Sequence, residues 1–380
     1  MLLFRKTNRY YNLKNILELC LSPDLGGLEL YMVRASHFLH TKTSVISVII
    51  ENSKLEKYYQ ETPYKYEKIK KSPFFSTYFL AKQLADIIDA HKIEIVHAHW
   101  TKDLLVAVLA KKLSTCKPQI VQTRNMTMTR FKDDFYHRWL YKNISLILPV
   151  TYQVKEQLER FIPEQIRPKI EVLYMGADMP AMIDEEQKQD LRTQYGLDDT
   201  FTVGIVGRIE EDKGQNLVID AMKKLLKQGL HVRALIVGHA MKEEYLQELQ
   251  KQIAEENLQD KIIFTGFTTQ AQQLMQLLDC LVLATTKETF GLVLIEAMAA
   301  GVAVIGTNNA GPLEIIDDNE TGLLFEKSSS EDLADKIQLL VEDETLKKRI
   351  AQAGKMKAYN VFESEKQFEK LYAMLECCYV

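Results

Sequence analysis

The chain has 380 residues, 46% hydrophobic and 26% charged, which is too long for one ordinary core and suits two. That balance excludes a disordered chain. No run approaches the ~18 consecutive apolar residues of a membrane span, and Met1–Phe4, bordered by Arg5, Lys6, Arg9 and Lys14, is too short for a signal-peptide core. The net charge of −4 hides an asymmetry. Residues 1–178 hold 27 Lys and Arg against 18 Asp and Glu, a net of +9, and the remainder carries −13. A basic first half predicts contact with an anionic surface. Five cysteines (Cys20, Cys116, Cys280, Cys377 and Cys378) show no metal spacing, and Cys20 and Cys280 lie in apolar runs, as befits a reducing cytosol.

Strands and helices alternate along the first half. Asn15–Cys20, Ser44–Ile50, Ile93–Ala98, Gln119–Gln122 and Leu146–Val150 read as buried strands. Glu29–Leu39, Thr77–His91 and Leu104–Leu113 carry helical spacing between them. A second series follows near Thr200, with strands Phe201–Val206, Arg233–Val237, Lys261–Phe264, Cys280–Leu283 and Ala303–Ile305. Its helices are Asn216–Gln228, Lys242–Glu255, Ala271–Leu278, Leu292–Ala300 and Ser330–Glu342. Near-continuous apolar strands separated by helices predict α/β architecture, with two doubly wound parallel sheets in tandem. Gly176, Pro180 and an acidic run break the pattern in Met175–Asp190. The expected domains are 1–178, 179–358 and a C-terminal helix, 359–380, returning to the first. Ligands of such sheets sit beyond the carboxyl ends of the strands, so a cleft between the two is expected to hold them.

Two motifs carry the chemistry. Gly204-Ile-Val-Gly207-Arg208-Ile-Glu-Glu-Asp-Lys213-Gly214 closes a strand, turns on glycines and enters a helix. Arg208 and Lys213 set two cations at the strand end, as a departing diphosphate requires. In Glu288-Thr-Phe290-Gly291-Leu292-Val293-Leu-Ile-Glu296, a sharp turn precedes a helix whose first amides suit a phosphate. Glu288 can reach a donor sugar, and Glu296, two turns further in, can accept from ribose hydroxyls.

Together these motifs resemble the retaining glycosyltransferases of family 4, with their GT-B fold of two Rossmann-like domains facing a central cleft and their Glu-x7-Glu signature. The resemblance implies a nucleotide-diphosphate sugar donor of UDP or GDP type, retention of anomeric configuration, and neither metal nor other cofactor. It assigns Gly26 and Gly27 to the donor diphosphate, Arg208 and Lys213 to its charge, and Gly266 and Phe267 to the nucleobase. Phe290, Gly291, Leu292 and Val293 form its phosphate loop, and Glu288 and Glu296 its two glutamates. One departure concerns the acceptor. Where the family commonly has a histidine after the strand at Ile120–Gln122, this chain has Thr123-Arg124-Asn125-Met126, so Asn125 or Arg124 stands there, and His99 is a second candidate.

Lys54, Lys57, Lys65, Lys68, Lys70 and Lys71 interleave with Tyr58, Tyr59, Tyr64, Tyr66, Phe74 and Phe75. Cations with interfacial aromatics suit an anionic bilayer, so Lys54–Phe75 is expected to dock a cytoplasmic enzyme peripherally on the inner membrane face. The same recipe serves single-stranded nucleic acid, although no nucleic-acid partner is expected. The acceptor class is a glycan or a lipid-linked sugar of envelope polysaccharide or lipopolysaccharide synthesis. A sugar-nucleotide epimerase and a non-catalytic nucleotide-sugar-binding subunit remain alternatives.

Overall fold

The computed structural model describes residues 14–60, 62–71 and 76–378. The basic N-terminal residues Arg5, Lys6 and Arg9, and Phe74 and Phe75 of the lysine–aromatic segment, lie outside them. The chain divides into two compact units. The first comprises Met1–Val150, Val154–Leu173 and Phe368–Val380, and the second Thr151–Gln153 and Tyr174–Gln367.

In chain order the first unit contains β1 (Ile16–Cys20), α1 (Gly27–His40), β2 (Val45–Ile50), α2 (Glu56–Gln60), β3 (Tyr66–Ile69), α3 (Ser76–Ala90) and β4 (Ile95–Ala98). It continues with α4 (Leu104–Leu113), β5 (Gln119–Arg124), α5 (Phe135–Tyr141), β6 (Leu146–Pro149), α6 (Tyr152–Phe161) and β7 (Lys169–Ile170). The sheet is parallel throughout, in the order β3-β2-β1-β4-β5-β6-β7. Its central strands are fully buried because helices cover both faces, which explains their near-continuous apolar sequences.

The second unit contains α7 (Glu185–Gln194), β8 (Phe201–Val206), α8 (Gln215–Lys227), β9 (Val232–Val237), α9 (Glu243–Glu255), β10 (Ile262–Gly266), α10 (Ala271–Met275) and β11 (Cys280–Leu283). Then follow α11 (Leu292–Ala300), β12 (Ala303–Thr307), α12 (Pro312–Ile315), β13 (Leu323–Phe325), α13 (Ser330–Glu342), α14 (Glu344–Lys357) and α15 (Ser364–Cys377), whose last residues count with the first unit. There Phe368 stacks on Tyr31 and Phe38, at 5.6 and 5.7 Å between ring centres. The second sheet, also parallel, runs β10-β9-β8-β11-β12-β13.

Helix α8 buries Val218, Ile219, Ala221, Met222 and Leu225 on one stripe and turns Lys223, Lys224 and Lys227 outward. Helix α11, apolar nearly all round, is central to its unit and ends at Gly301 in the left-handed conformation (φ 80°). In both sheets the strand order reverses beside the first strand, between β1 and β4 and between β8 and β11. Such a switch point opens a crevice at the carboxyl ends of the strands.

Candidate functional site

In the second unit the two motifs meet at that switch point. The loop after β8 is tied to the loop after β11. Thr286 N–H and Thr285 Oγ1 donate to the Asp212 carbonyl at 3.1 and 2.9 Å, and Lys287 Nζ pairs with the Asp212 carboxylate at 2.9 Å. Gly214, left-handed at φ 76°, packs so closely that a β carbon there would stand 2.5 Å from the Ala284 carbonyl oxygen. This stitching brings Lys213 Nζ to 3.3 Å from Glu288 Oε2, each side chain about a quarter exposed. Arg208 is more open and pairs with Glu210 at 3.1 Å. A cation and a carboxylate side by side, with a second cation close in sequence, can hold an anionic group and a polyol together.

The backbone around Arg208 is equally constrained. Gly207 N–H donates to the Val237 carbonyl and Ile209 N–H to that of His239, both at 2.9 Å. Gly238 faces Gly207 so tightly that a β carbon on it would lie 1.9 Å from the Gly207 oxygen. Beyond β9 and β10, His239 and Phe267 meet edge to face at 6.0 Å, with Phe267 strongly exposed after the left-handed Gly266. His239 escaped the sequence reading, although the Gly238–His239 step at a strand end is the signal that marks it.

Gly291, at φ 107°, is the N-cap of α11, and the amides of Leu292 and Val293 open the helix without intrahelical partners. Phe290 is only 3% exposed and its ring stacks on Tyr174 at 5.8 Å, so the ring is a packing element and not a ligand contact. Glu296 is half-buried one helix turn further along α11.

In the first unit Gly26 caps α1 and Gly27 begins it, which places the α1 amides beyond β1. Two acceptor-side expectations require correction. Strand β5 continues through Arg124, so Thr123 and Arg124 are buried within it and Asn125 is the first residue outside. Arg124 spends its guanidinium on structure. It donates to the Met126 carbonyl at 2.8 Å, the Thr127 carbonyl at 3.1 Å and Thr101 Oγ1 at 3.0 Å. Asn125, half-exposed, keeps its amide available.

The second correction concerns His99, which is wholly buried and touches no surface. Its Nε2 lies 2.5 Å from Glu18 Oε2, while His97 Nδ1 lies 3.0 Å from Glu18 Oε1 and His97 Nε2 2.8 Å from Thr123 Oγ1. Burial pushes the Glu18 carboxyl up, but the His97 charge and hydrogen bonds from both rings bring it down to about 2. His99 is pushed down to about 4, by burial first and then by His97. Among the described residues this is the one His/Cys/Asp/Glu group with a metal-like donor set, its ligand atoms within 4.8 Å of one another. Both contacts are direct hydrogen bonds, so the ligand atoms are already spent on each other. The arrangement fits a shared-proton network.

The lysine–aromatic segment is partly neutralised. Lys54 faces Asp24 at 3.8 Å, Lys68 pairs with Glu56 at 2.7 Å and Lys70 with Glu51 at 3.1 Å. Tyr59 is buried, Tyr66 stacks on it at 5.6 Å, and Tyr64 packs on His37 and His40. Lys57 lies 4.9 Å from the Tyr58 ring centre, and Lys65 and Lys71 are exposed.

Known proteins match both units. Residues 187–357 match the family described as glycosyl transferases group 1, and residues 18–151 match glycosyl transferase 4-like. The chain is 27% identical over 301 residues to an N-acetyl-alpha-D-glucosaminyl L-malate synthase of Bacillus anthracis, covering 77% of this chain and 78% of that one. It is 30% identical over 210 residues to the capsular polysaccharide biosynthesis glycosyltransferase CapM of Staphylococcus aureus, covering 54% and 55%. Among solved structures, Anabaena Alr3699/HepE in complex with UDP and glucose superposes with a TM-score of 0.81 at 23% identity, over 95% of this chain and 99% of that one. A glycosyltransferase from Rickettsia africae gives 0.87 at 23% identity, over 97% and 99%.

Proposed function

The chain belongs to the group 1 glycosyl transferases, with two Rossmann-like domains of the GT-B type, and from that premise we propose a retaining transfer from a nucleotide-diphosphate sugar to a glycan or lipid-linked acceptor. The observation that carries this reading is the Lys213–Glu288 pair at 3.3 Å, held by the stitched loops at the switch point of the second sheet.

In the proposed reaction the bond between the anomeric carbon and the diphosphate oxygen breaks, and the acceptor oxygen bonds to that carbon on the same face. The acceptor proton passes to the departing phosphate oxygen, so no protein base is required. Charge grows on the leaving diphosphate, and Arg208, Lys213 and the first amides of α11 would neutralise it. Glu288 holds the sugar and orients Lys213. Asn125 is the polar group left for the acceptor, since Arg124 is engaged and His99 is enclosed. A uridine base is favoured, because the Anabaena neighbour binds UDP. Donor binding is assigned no metal or other cofactor, its charge resting on side chains and amides. Relatives named for capsule and lipopolysaccharide core synthesis support an envelope polysaccharide product made on the cytoplasmic side. The residual charge of Lys57, Lys65 and Lys71 would draw Lys54–Phe75 toward an acidic membrane.

Thermal shift with UDP, GDP and their sugars tests the donor, since a ligand at 100 times its dissociation constant adds ~2.7 kcal/mol. Stabilisation by UDP species with transfer or donor hydrolysis, both lost in Glu288→Ala, is the expected result. The engaged Arg124 favours one other reading, a non-catalytic nucleotide-sugar-binding subunit. That reading predicts the same stabilisation and no turnover with any acceptor.

A further inference from the structure

We infer that Met126–Tyr136, the loop after β5 and the outer face of α5, is a preformed patch that docks on an anionic bilayer surface. This deepens the membrane contact proposed above, rests on it only for the kind of partner, and moves its anchor away from Lys54–Phe75.

Phe135, Phe267 and Phe131 are the three most exposed large apolar side chains among the described residues, at 88%, 76% and 66%. Two of them fall within five residues of each other, with Met126 at 55% and Tyr136 at 44% nearby in sequence. Isolated exposed apolar residues are ordinary, but several in one short segment mark an interaction surface. The loop is braced from beneath, so these rings are held outward. Arg124 grips the carbonyls of Met126 and Thr127, Met128 is buried with its N–H on Gln157 at 2.8 Å, and Lys132 N–H donates to the Phe161 carbonyl at 2.9 Å. Phe131 rests edge-on against Phe161 at 5.3 Å. On α5 the inward residues Leu140 and Tyr141 are buried, leaving Phe135 and Tyr136 outside.

Charge selects the partner. Of the two acids of the segment, Asp133 pairs with Arg138 at 2.6 Å, and Asp134 caps α5 by accepting from the His137 N–H at 3.1 Å beside His137 Nδ1. Arg130 and Lys132 have no carboxylate in ion-pair range among the described residues, and burial together with the charges of Arg130 and Arg124 pushes the Lys132 ammonium below its usual range. Exposed rings beside unpaired cations match the headgroup layer of an acidic membrane, where rings enter the acyl boundary and cations meet phosphates. In residues 54–71, by contrast, Lys54, Lys68 and Lys70 face carboxylates and Tyr59, Tyr64 and Tyr66 are packed against other rings.

Flotation with vesicles of phosphatidylcholine alone, or mixed equally with phosphatidylglycerol, tests the assignment on the full chain. Wild type should bind the mixed vesicles and little of the neutral ones. Phe131→Ser with Phe135→Ser should lower partitioning about 100-fold, roughly tenfold per ring. Arg130→Ser with Lys132→Ser should lower it at low salt and lose its effect at high salt. Lys65→Ser with Lys71→Ser should change it less than either. Phe135→Trp should add blue-shifted fluorescence on mixed vesicles, reporting insertion directly. Melting temperature and nucleotide stabilisation should be unchanged in every variant, so a failure of the donor reading leaves this test intact. Equal flotation of wild type and the Phe131/Phe135 variant would overturn the proposal. So would flotation lost only in the lysine variant, or a patch whose substitution abolishes self-association without affecting vesicles.

Discussion

Replacing Glu18 with Gln separates charge from shape in the buried triad. Its carboxylate, ionised with a pKa of about 2 against 4.5 for an unperturbed group, contributes roughly 3 kcal/mol at neutral pH by linkage. That share is complete above pH 4.5 and is lost as pH falls toward 2. His99 acts in the same direction. The unfolded chain takes up a proton near pH 6.5 and the folded one only near 4, so stability falls as pH drops through that window. A carboxamide can reproduce the contacts without charge. Its oxygen would accept from His99 Nε2–H, and its NH2 would donate to His97 Nδ1 once that ring carries its proton on Nε2, toward Thr123. Glu18→Gln keeps these hydrogen bonds and loses the charge, so it should cost no more than about 3 kcal/mol at pH 7. Glu18→Ala, which leaves two imidazoles without their acceptor and opens a cavity, should cost about 3–5 kcal/mol. Both tryptophans, Trp100 and Trp139, lie in the first unit, so urea unfolding followed by their fluorescence reports on this unit. The two midpoints should fall alike from pH 7 to pH 4.5, through His99, and below pH 4.5 the wild-type midpoint should fall more steeply than that of Glu18→Gln. A Gln variant as weak as the Ala variant at pH 7 would refute the neutral arrangement.

Lys213→Ala or Arg208→Ala should cut turnover by about 100-fold while leaving melting nearly unchanged; near-normal turnover in both would remove the diphosphate assignment. Gly238→Ala should destabilise the second unit by about 3 kcal/mol or more and abolish UDP-induced stabilisation, since its β carbon would overlap the Gly207 carbonyl. A variant that melts normally and still responds to UDP would contradict that packing. Transfer should survive excess EDTA, because the proposed diphosphate site relies on Lys213, Arg208 and backbone amides; loss on chelation, restored by Mg²⁺ or Mn²⁺, would reveal a cation in the reaction.

The alternation of apolar strands and helical stripes made both sheets legible, because strands buried on two faces have little freedom in composition. The donor-side candidates stand out in the sequence for a related reason: Arg208, Lys213 and Glu288 interrupt or follow such strands beside glycines. Short edge strands were not. Tyr66–Ile69 exposes Glu67 and Lys68 and so carries little apolar signal, and Leu323–Phe325 is only three residues long. The acceptor side was misread where sequence-distant groups meet. Glu18 and His97 face each other only through the β1–β4 register, and Arg124 became a clamp because Thr101, from the next strand exit, lies beside it. The lysines of residues 54–71 looked uncompensated because Asp24 and Glu51 reach them only after folding.

The contact between Gly207 and Gly238 bears on how such a chain can diversify. Where two loops touch main chain to main chain, the bed beneath Arg208 is made of peptide groups alone, and no side chain there can be exchanged to suit another ligand. On the proposed donor reading, changes of sugar or base would be written into the residues around that bed, such as His239 and Phe267, which project from adjoining strand ends. If that reading holds, the part that handles charge is separable from the part that reads identity, so the second can be rewritten while the first keeps its shape.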